Sequence, residues 1–146
     1  MSRGVAQWVC AAITLGVAQP SFAHHGTFVN YVWDEAFVAP AVVTEFRFTQ
    51  PHPQIYLDVM DENGQVTNWA CELGPNIPWL IREGWTRQRS VEALAPGTKL
   101  SVTITPAISG EPVGIVNTMQ NEQGETLLVD FGVNRLKVVK VVDAPN

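Results

Sequence analysis

The sequence predicts a mainly β fold, a small OB-like barrel with one short helical insert between its third and fourth strands. Short runs of alternating apolar and polar residues recur along the chain, as expected for half-buried strands. Turn-forming residues separate these runs, and Gly-Pro-Asn at 74–76 interrupts the pattern. Three strands, a helix and then further strands is the order of an OB-fold, which is a five-stranded Greek-key barrel. A small β-sandwich is the alternative architecture.

Each predicted strand is bounded by turn or loop residues. The predicted strands lie at 41–48, 55–60, 66–73, 99–105, 113–119, 126–131 and 136–142. Asn63-Gly64 joins the second strand to the third, and Asn-Gly between two β-rich runs is a strong hairpin signal. Lys137 and Lys140 in the last run are typical of an edge strand, where lysine discourages pairing with another chain.

The segments between the strands carry their own signals. Residues 27–37 mix aromatic and polar side chains and predict an extended arm or irregular segment that packs by its rings. Asn76 is a suitable helix N-cap, with Pro78 tolerated in the first turn and Gly84 fitting a C-terminal stop. These residues predict a helix of about two turns at 77–83, and the sequence is also compatible with a helical turn at 86–94.

The first 23 residues predict a secretory signal peptide, which leaves a single domain at 24–146. Arg3 precedes an apolar run at 5–17, and Ser-Phe-Ala at 21–23 places small residues where signal peptidase cleaves. The run is shorter than the roughly 20 residues that a spanning helix needs. An uncleaved anchor is the alternative. We therefore expect a periplasmic or extracellular protein without stable membrane insertion after cleavage.

Composition narrows the classes of partner. The formal charge of the chain is −5 and becomes −6 once the leader with Arg3 is removed. An acidic protein lacks the basic surface that nucleic acid or anionic lipid requires, so we expect neither partner. Cys71 would be the one cysteine left after cleavage. Such a cysteine forms no internal disulfide and is typical of an apolar core.

Several motifs together resemble an uncharacterised family of small exported bacterial proteins, classed as a domain of unknown function. The matching segments are Ala23-His24-His25, Pro51-His52, Ile55-Tyr56-Leu57-Asp58-Val59, Asn68-Trp69-Ala70-Cys71-Glu72-Leu73-Gly74, Arg82-Glu83-Gly84-Trp85-Thr86 and Pro96-Gly97. The resemblance covers 24–105 and departs from the family pattern at Gly26 and Gln50. It implies an exported domain and no settled activity.

The three histidines of the sequence are candidate metal ligands. Cleavage after Ala23 would give His24 a free α-amine beside its ring, and His52 would add a third nitrogen. His25 could contribute its ring or its backbone amide. Tetragonal nitrogen ligation suits Cu(II), which also binds most tightly among divalent first-row metals, and the arrangement resembles the histidine brace of periplasmic copper carriers and copper oxygenases. We therefore predict a copper-binding protein with ligands His24, His52 and His25.

Other interpretations of the same residues remain open. The histidine pair could be exposed polar residues of a frayed terminus, and His52 could fix a turn by bonding to backbone. Asp58 could orient a ligand histidine or simply occupy the polar side of a strand. The tryptophans are more typical of core packing than of a binding platform. A non-catalytic cell-envelope module that binds a protein or ligand on an OB-like face is the alternative function.

Catalysis is less expected than binding. The sequence contains no phosphate-binding glycine loop, nucleophile elbow, Cys-x-x-Cys pair or His-Glu-x-x-His motif. A redox enzyme that uses the same histidines is the remaining catalytic alternative. No catalytic residue is predicted.

Overall fold

The computed structural model describes residues 30–129 and 138–143. The strands are β1 (Ala36–Arg47), β2 (Gln54–Met60), β3 (Val66–Leu73), β4 (Lys99–Pro106), β5 (Val113–Gln120), β6 (Thr126–Val129) and β7 (Val138–Val141), and the helices are α1 (Ile77–Arg82) and α2 (Arg87–Ala93). The predicted leader, His24 and His25 lie outside the described residues, as do the predicted strand residues 130–131 and 136–137.

Strands β1 to β5 close into a barrel. β2 pairs antiparallel with β1 and β3, β4 pairs antiparallel with β1 and β5, and a parallel pairing of β3 with β5 completes the ring. The order around the barrel is therefore β1-β2-β3-β5-β4-β1. This closure confirms the OB-like prediction over the β-sandwich, which would consist of two stacked sheets.

Strands β1 and β5 each pair with two different strands along the same edge. β1 gives one edge to β4, and its other edge pairs with β7 at 36–38 and with β2 from residue 41 onward. β5 likewise pairs on one edge with β3 and then with β6. The predicted last strand is thus present at Val138–Val141, parallel to β1.

Pro40 lies inside β1, although the sequence predicted that the strand begins after it. Val43 exchanges hydrogen bonds with Thr98 and Gly97 on the β4 side, so Pro40, an odd number of residues away, faces the opposite edge. That edge is changing partner from β7 to β2 at this point. The missing N–H of proline therefore removes no ladder bond, and the predicted strand start was wrong for that reason.

Alternate strand residues fill the barrel. The buried apolar residues inside it are Ala39, Ala41, Val43, Ile55, Leu57, Val59, Cys71, Leu73, Leu100, Val102, Ile104, Val116 and Met119. Gly114 allows β5 to approach β4 closely, because an added Cβ would lie 2.7 Å from Ile104 Cγ2 and 2.9 Å from the Thr105 carbonyl oxygen.

The insert between β3 and β4 contains two short helices. Asn76 Oδ1 accepts from the Trp79 amide at 3.0 Å, and Thr86 Oγ1 caps α2 through the Arg89 amide at 3.2 Å. Leu80, Trp85 and Leu94 are buried in the same apolar cluster as the barrel interior. The insert was predicted as one helix with a further turn, and that turn is the separate helix α2.

Candidate functional site

His52 is the one predicted metal ligand within the described residues, and its ring orientation is fixed. Its Nδ1 lies 3.0 Å from the Leu73 carbonyl oxygen, and the ring is half-buried. A carbonyl oxygen only accepts, so Nδ1 must carry the proton. In the neutral ring this leaves the lone pair on Nε2, and Nε2 has no hydrogen-bond partner in the described part of the chain.

The His52 loop (residues 48–53) is held against the end of β3 and the start of α1. The Leu73 amide donates to the Pro53 carbonyl at 2.9 Å, and the Ile77 amide donates to the Pro51 carbonyl at 3.1 Å. Pro53 is buried, and the Gln50–Pro51 peptide bond is cis. The carbonyls of the two prolines accept these hydrogen bonds, which fix the backbone on both sides of His52. The bond from the ring to backbone, which the sequence analysis gave as the alternative to metal ligation, is present.

The described residues do not supply a complete metal site. Nowhere in 30–129 and 138–143 do three His, Cys, Asp or Glu side chains converge on one point. Asp58, considered as an orienting partner for a histidine, instead accepts from Asn68 Nδ2 at 2.8 Å on the outer face of β2 and β3. A set of three such ligands that includes His52 would therefore need at least one member from outside these residues, where His24 and His25 lie.

Tyr31 ties the start of the described chain to the end of β3. Its hydroxyl donates to Glu72 Oε1 at 3.0 Å, and its backbone bridges Ala107. Burial, followed by the nearby Glu72 charge, raises the pKa of the Tyr31 hydroxyl, which keeps it protonated as a donor. Glu72 precedes Leu73, the residue whose carbonyl holds the His52 ring.

The outer face of β1, β2 and β3 is rich in internal polar contacts. Glu45 and Arg47 form an ion pair at 2.6 Å, and the Arg47 guanidinium lies 4.8 Å from the centre of the Tyr56 ring. A small pocket of about 200 Å³ opens among Tyr31, Tyr56 and Glu72. Cys71 lines it but is buried, and burial raises the pKa of its thiol to about 12, which disfavours the reactive thiolate.

A larger groove opens at the opposite end of the β2–β3 hairpin, with a volume of about 820 Å³. Its floor is apolar and includes Phe37, Val59, Trp69 and Val142. Its rim carries Asp34, Glu35, Asp61 and Lys140. We call this region the acidic groove. The sequence analysis did not identify it, although acidic Asp34-Glu35 within an aromatic segment was a local signal.

The tryptophans and the arginines of the insert have mainly structural roles. Trp85 is buried under the Arg89 guanidinium, which lies 4.6 Å from its ring centre. Trp69 is half-buried and packs edge-to-face on Phe37 at 5.2 Å. Arg82 pairs with Glu83 at 3.5 Å. Core packing therefore explains Trp85, while Trp69 also lines the acidic groove.

No helix within the described ranges is long and apolar enough to cross a membrane.

The chain belongs to the DUF6152 family, a family of unknown function whose model matches residues 12–117. This match confirms the resemblance to an uncharacterised family and extends it on both sides of 24–105. It includes His24, His25 and the His52 loop. Neither a curated protein nor a solved structure matches the chain.

Proposed function

We propose that this member of the DUF6152 family binds one Cu(II) ion in the periplasm or outside the cell, as a carrier and not as a catalyst. The ligands are the α-amine and ring of His24, exposed by cleavage after Ala23, and Nε2 of His52. His25 adds its ring or backbone amide. Bound copper would supply a redox-active centre, but no described residue is assigned a catalytic step.

The observation that carries this proposal is the hydrogen bond from His52 Nδ1 to the Leu73 carbonyl. Histidines that bind metals usually donate their other ring N–H to a carboxylate or carbonyl, which fixes the tautomer and orients the ligand nitrogen. The His52 ring has this arrangement without a metal, because Nδ1 donates to the Leu73 carbonyl and Nε2 is left as the ligand nitrogen. The pinned loop also reduces the conformational entropy that ligation would otherwise cost.

The contacts that fix Tyr31 beside Glu72 support a role of His24 as a copper ligand. Tyr31 and His52 contact the adjacent residues Glu72 and Leu73. Tyr31 follows His24 by seven positions in the sequence, and a chain of that length spans at most about 25 Å. An N-terminal ligand is therefore compatible with a His52 site in terms of chain length.

Calorimetric titration of Cu(II) into protein processed from its own leader tests the proposal. We expect one tight site and an affinity at least about 100-fold lower in His52→Ala, because even loss of an outer partner costs about 10–100-fold. Gln50→Ala is the matched loop control, because Gln50 is exposed and its side chain makes no contact with His52, and it should leave the affinity unchanged.

Three glycines inserted between Ala23 and His24 test the role of the amine, with intact mass establishing the first residue. A single glycine is unsuitable, because it would make His25 the third residue, where its ring, the amine and two backbone amides could together chelate Cu(II). The extended protein should lose the tight site, because the amine would no longer belong to a ligand histidine. Unchanged Cu(II) affinity in the extended protein would overturn the N-terminal part of the proposal.

A second candidate is a non-catalytic module of the cell envelope that binds a protein or ligand on the outer face of β2 and β3. The small pocket beside Tyr31 and Tyr56 favours it, since OB-folds commonly bind ligands on this face. This candidate expects a triple alanine variant at the three histidines to retain its partner. A partner captured from envelope extract and lost in that variant would contradict it.

A further inference from the structure

The acidic groove combines an apolar floor with two carboxylates, Asp34 and Glu35, that the described residues leave without counter-ions. Asp34 and Glu35 make no side-chain hydrogen bond or ion pair with any described residue. Lys140 pairs with Glu62, with its Nζ 2.9 Å from Oε2, and its charge also lowers the pKa of Asp61, which leaves Asp34 and Glu35 unpaired. The groove therefore presents negative charge above a surface that water solvates poorly.

Asp61 adds a third carboxylate whose position is fixed. Its Oδ1 accepts from the amides of Asn63 and Gln65, both at 2.8 Å. These bonds close the turn between β2 and β3 and use only one of the two carboxylate oxygens. The Asn63 side chain and the Lys140 charge also interact with this carboxylate, and both lower its pKa, so Asp61 keeps its negative charge at the rim.

The floor offers an aromatic surface of defined geometry. Phe37 and Trp69 pack edge-to-face with their ring centres 5.2 Å apart, and both line the groove. An ammonium group within about 6 Å of an aromatic ring is attracted by the ring's quadrupole, most strongly by tryptophan. The volume of about 820 Å³ lies within the usual range for small-molecule sites, about 300–1,000 Å³.

We propose that the acidic groove binds a small organic cation, an ammonium group attached to an apolar body. The ammonium would lie between the carboxylates of the rim, and the apolar body would cover Val59 and Trp69. A bare metal ion would leave the apolar floor exposed, and an organic anion would be repelled by the rim. Charge complementarity and the apolar floor together select this class of ligand.

Benzyltrimethylammonium is a suitable probe, followed by chemical shifts of backbone amides in protein processed from its own leader. We expect saturable shifts concentrated at 34–39, 59–61 and 67–69. Three analogues dissect the recognition: benzyl alcohol lacks the charge, tetramethylammonium lacks the ring, and phenylacetate reverses the charge. Each should bind more weakly than the probe.

The double variant Asp34→Asn with Glu35→Gln tests the rim without disturbing a recorded side-chain contact. We expect its affinity for the probe to fall about fivefold, as loss of two exposed charge contacts would give. Glu92→Gln with Glu122→Gln is the matched control, because it changes the net charge equally at residues outside the groove. His52→Ala should also leave probe binding unchanged, which separates this site from the copper site.

Two outcomes would overturn the proposal. One is an absence of saturable shifts at the groove, as would follow if residues of the chain itself fill it. The other is an equal loss of affinity in the control pair, which would indicate attraction to the overall negative charge instead of a defined site.

Discussion

The two ends of the β2–β3 hairpin differ in how they present polar groups. Where β3 finishes, the Leu73 carbonyl orients a single histidine ring, and two prolines flank it. Where β2 finishes, Asp34, Glu35 and Asp61 surround an apolar floor. An oriented lone pair suits a directional bond such as metal ligation, whereas carboxylates over an apolar surface suit a ligand selected by charge and shape.

The ends are also far enough apart to be altered separately. β2 has seven residues, which corresponds to about 23 Å of strand. A substitution that acts on one end should therefore leave the other end's binding intact unless it unfolds the shared hairpin.

Leu57→Ala should have the largest effect, because Leu57 lies midway along β2 and is fully buried. We expect the free energy of unfolding, measured in urea, to fall by about 2–5 kcal/mol. Binding at both ends should weaken together as the unfolded fraction rises. Val66→Ala, at an exposed position of β3, should stay within about 0.5 kcal/mol of the parent. Equal stabilities of the two variants would contradict the assigned core.

Pro53→Ala should alter ligand binding at only one end of the β2–β3 hairpin. Removing proline increases the freedom of the unfolded chain, which should cost about 0.4–1 kcal/mol of stability, and loss of the buried ring of Pro53 adds to this cost. Cu(II) affinity should fall as the His52 loop loosens, with no change in benzyltrimethylammonium binding. Pro112→Ala is the matched control, because Pro112 lines the acidic groove and should give the opposite pattern. The comparison fails if both variants affect both ligands alike.

The Lys140–Glu62 ion pair should contribute less to the free energy of unfolding than the residues considered above. Both side chains are substantially exposed, at 43% and 62%, so a double-mutant cycle with Lys140→Met and Glu62→Gln should give at most about 1 kcal/mol of coupling. The coupling should shrink in 1 M salt. Lys140→Met alone should tighten benzyltrimethylammonium binding, because it removes the cation from the rim. A coupling that salt leaves intact would contradict this account.

The smallest effect should be the acid response of Asp61, which is partly exposed. Hydrogen bonds from the Gln65 and Asn63 amides lower its pKa below 3.8, against a smaller desolvation effect. A lowered pKa in the folded state means that its stabilisation is present above the unfolded pKa and lost as pH falls through the folded pKa. Carboxyl NMR should therefore show titration below pH 3.8, and Asp61→Asn should remove this part of the acid dependence. Titration at or above the ordinary value would contradict the lowered pKa.

Much of the barrel could be predicted because its signals are local. Alternation in β2 and β3, Asn63-Gly64 and the cap at Asn76 each act within a few residues of sequence. The start of β1 could not be predicted, since tolerance of Pro40 depends on two distant strands that share one edge. Local pattern identifies strands, but only the closed topology reveals which N–H groups are needed.

The candidate sites divide in the same way. His52 drew attention because two prolines flank a rare residue, and its bond to backbone was among the predicted alternatives. The acidic groove was missed because its lining comes from segments near residues 35, 60, 68 and 141. No local pattern joins those segments, which meet only because the barrel brings the ends of β1, β2 and β3 together beside β7.

The parallel pairing of Ala36 with Val138 covers an edge that would otherwise be open. Val38 also accepts from the Val142 amide at 2.8 Å. The last strand therefore provides hydrogen-bond partners to one edge of β1 at residues 36–38. A chain truncated before β7 would expose these backbone groups as a template for a strand from another molecule. We therefore expect truncation after residue 129 to favour strand exchange between copies, detectable as dimers or larger species by light scattering. In the intact protein, β7 occupies this edge of β1 and prevents it from pairing with a strand of a second copy.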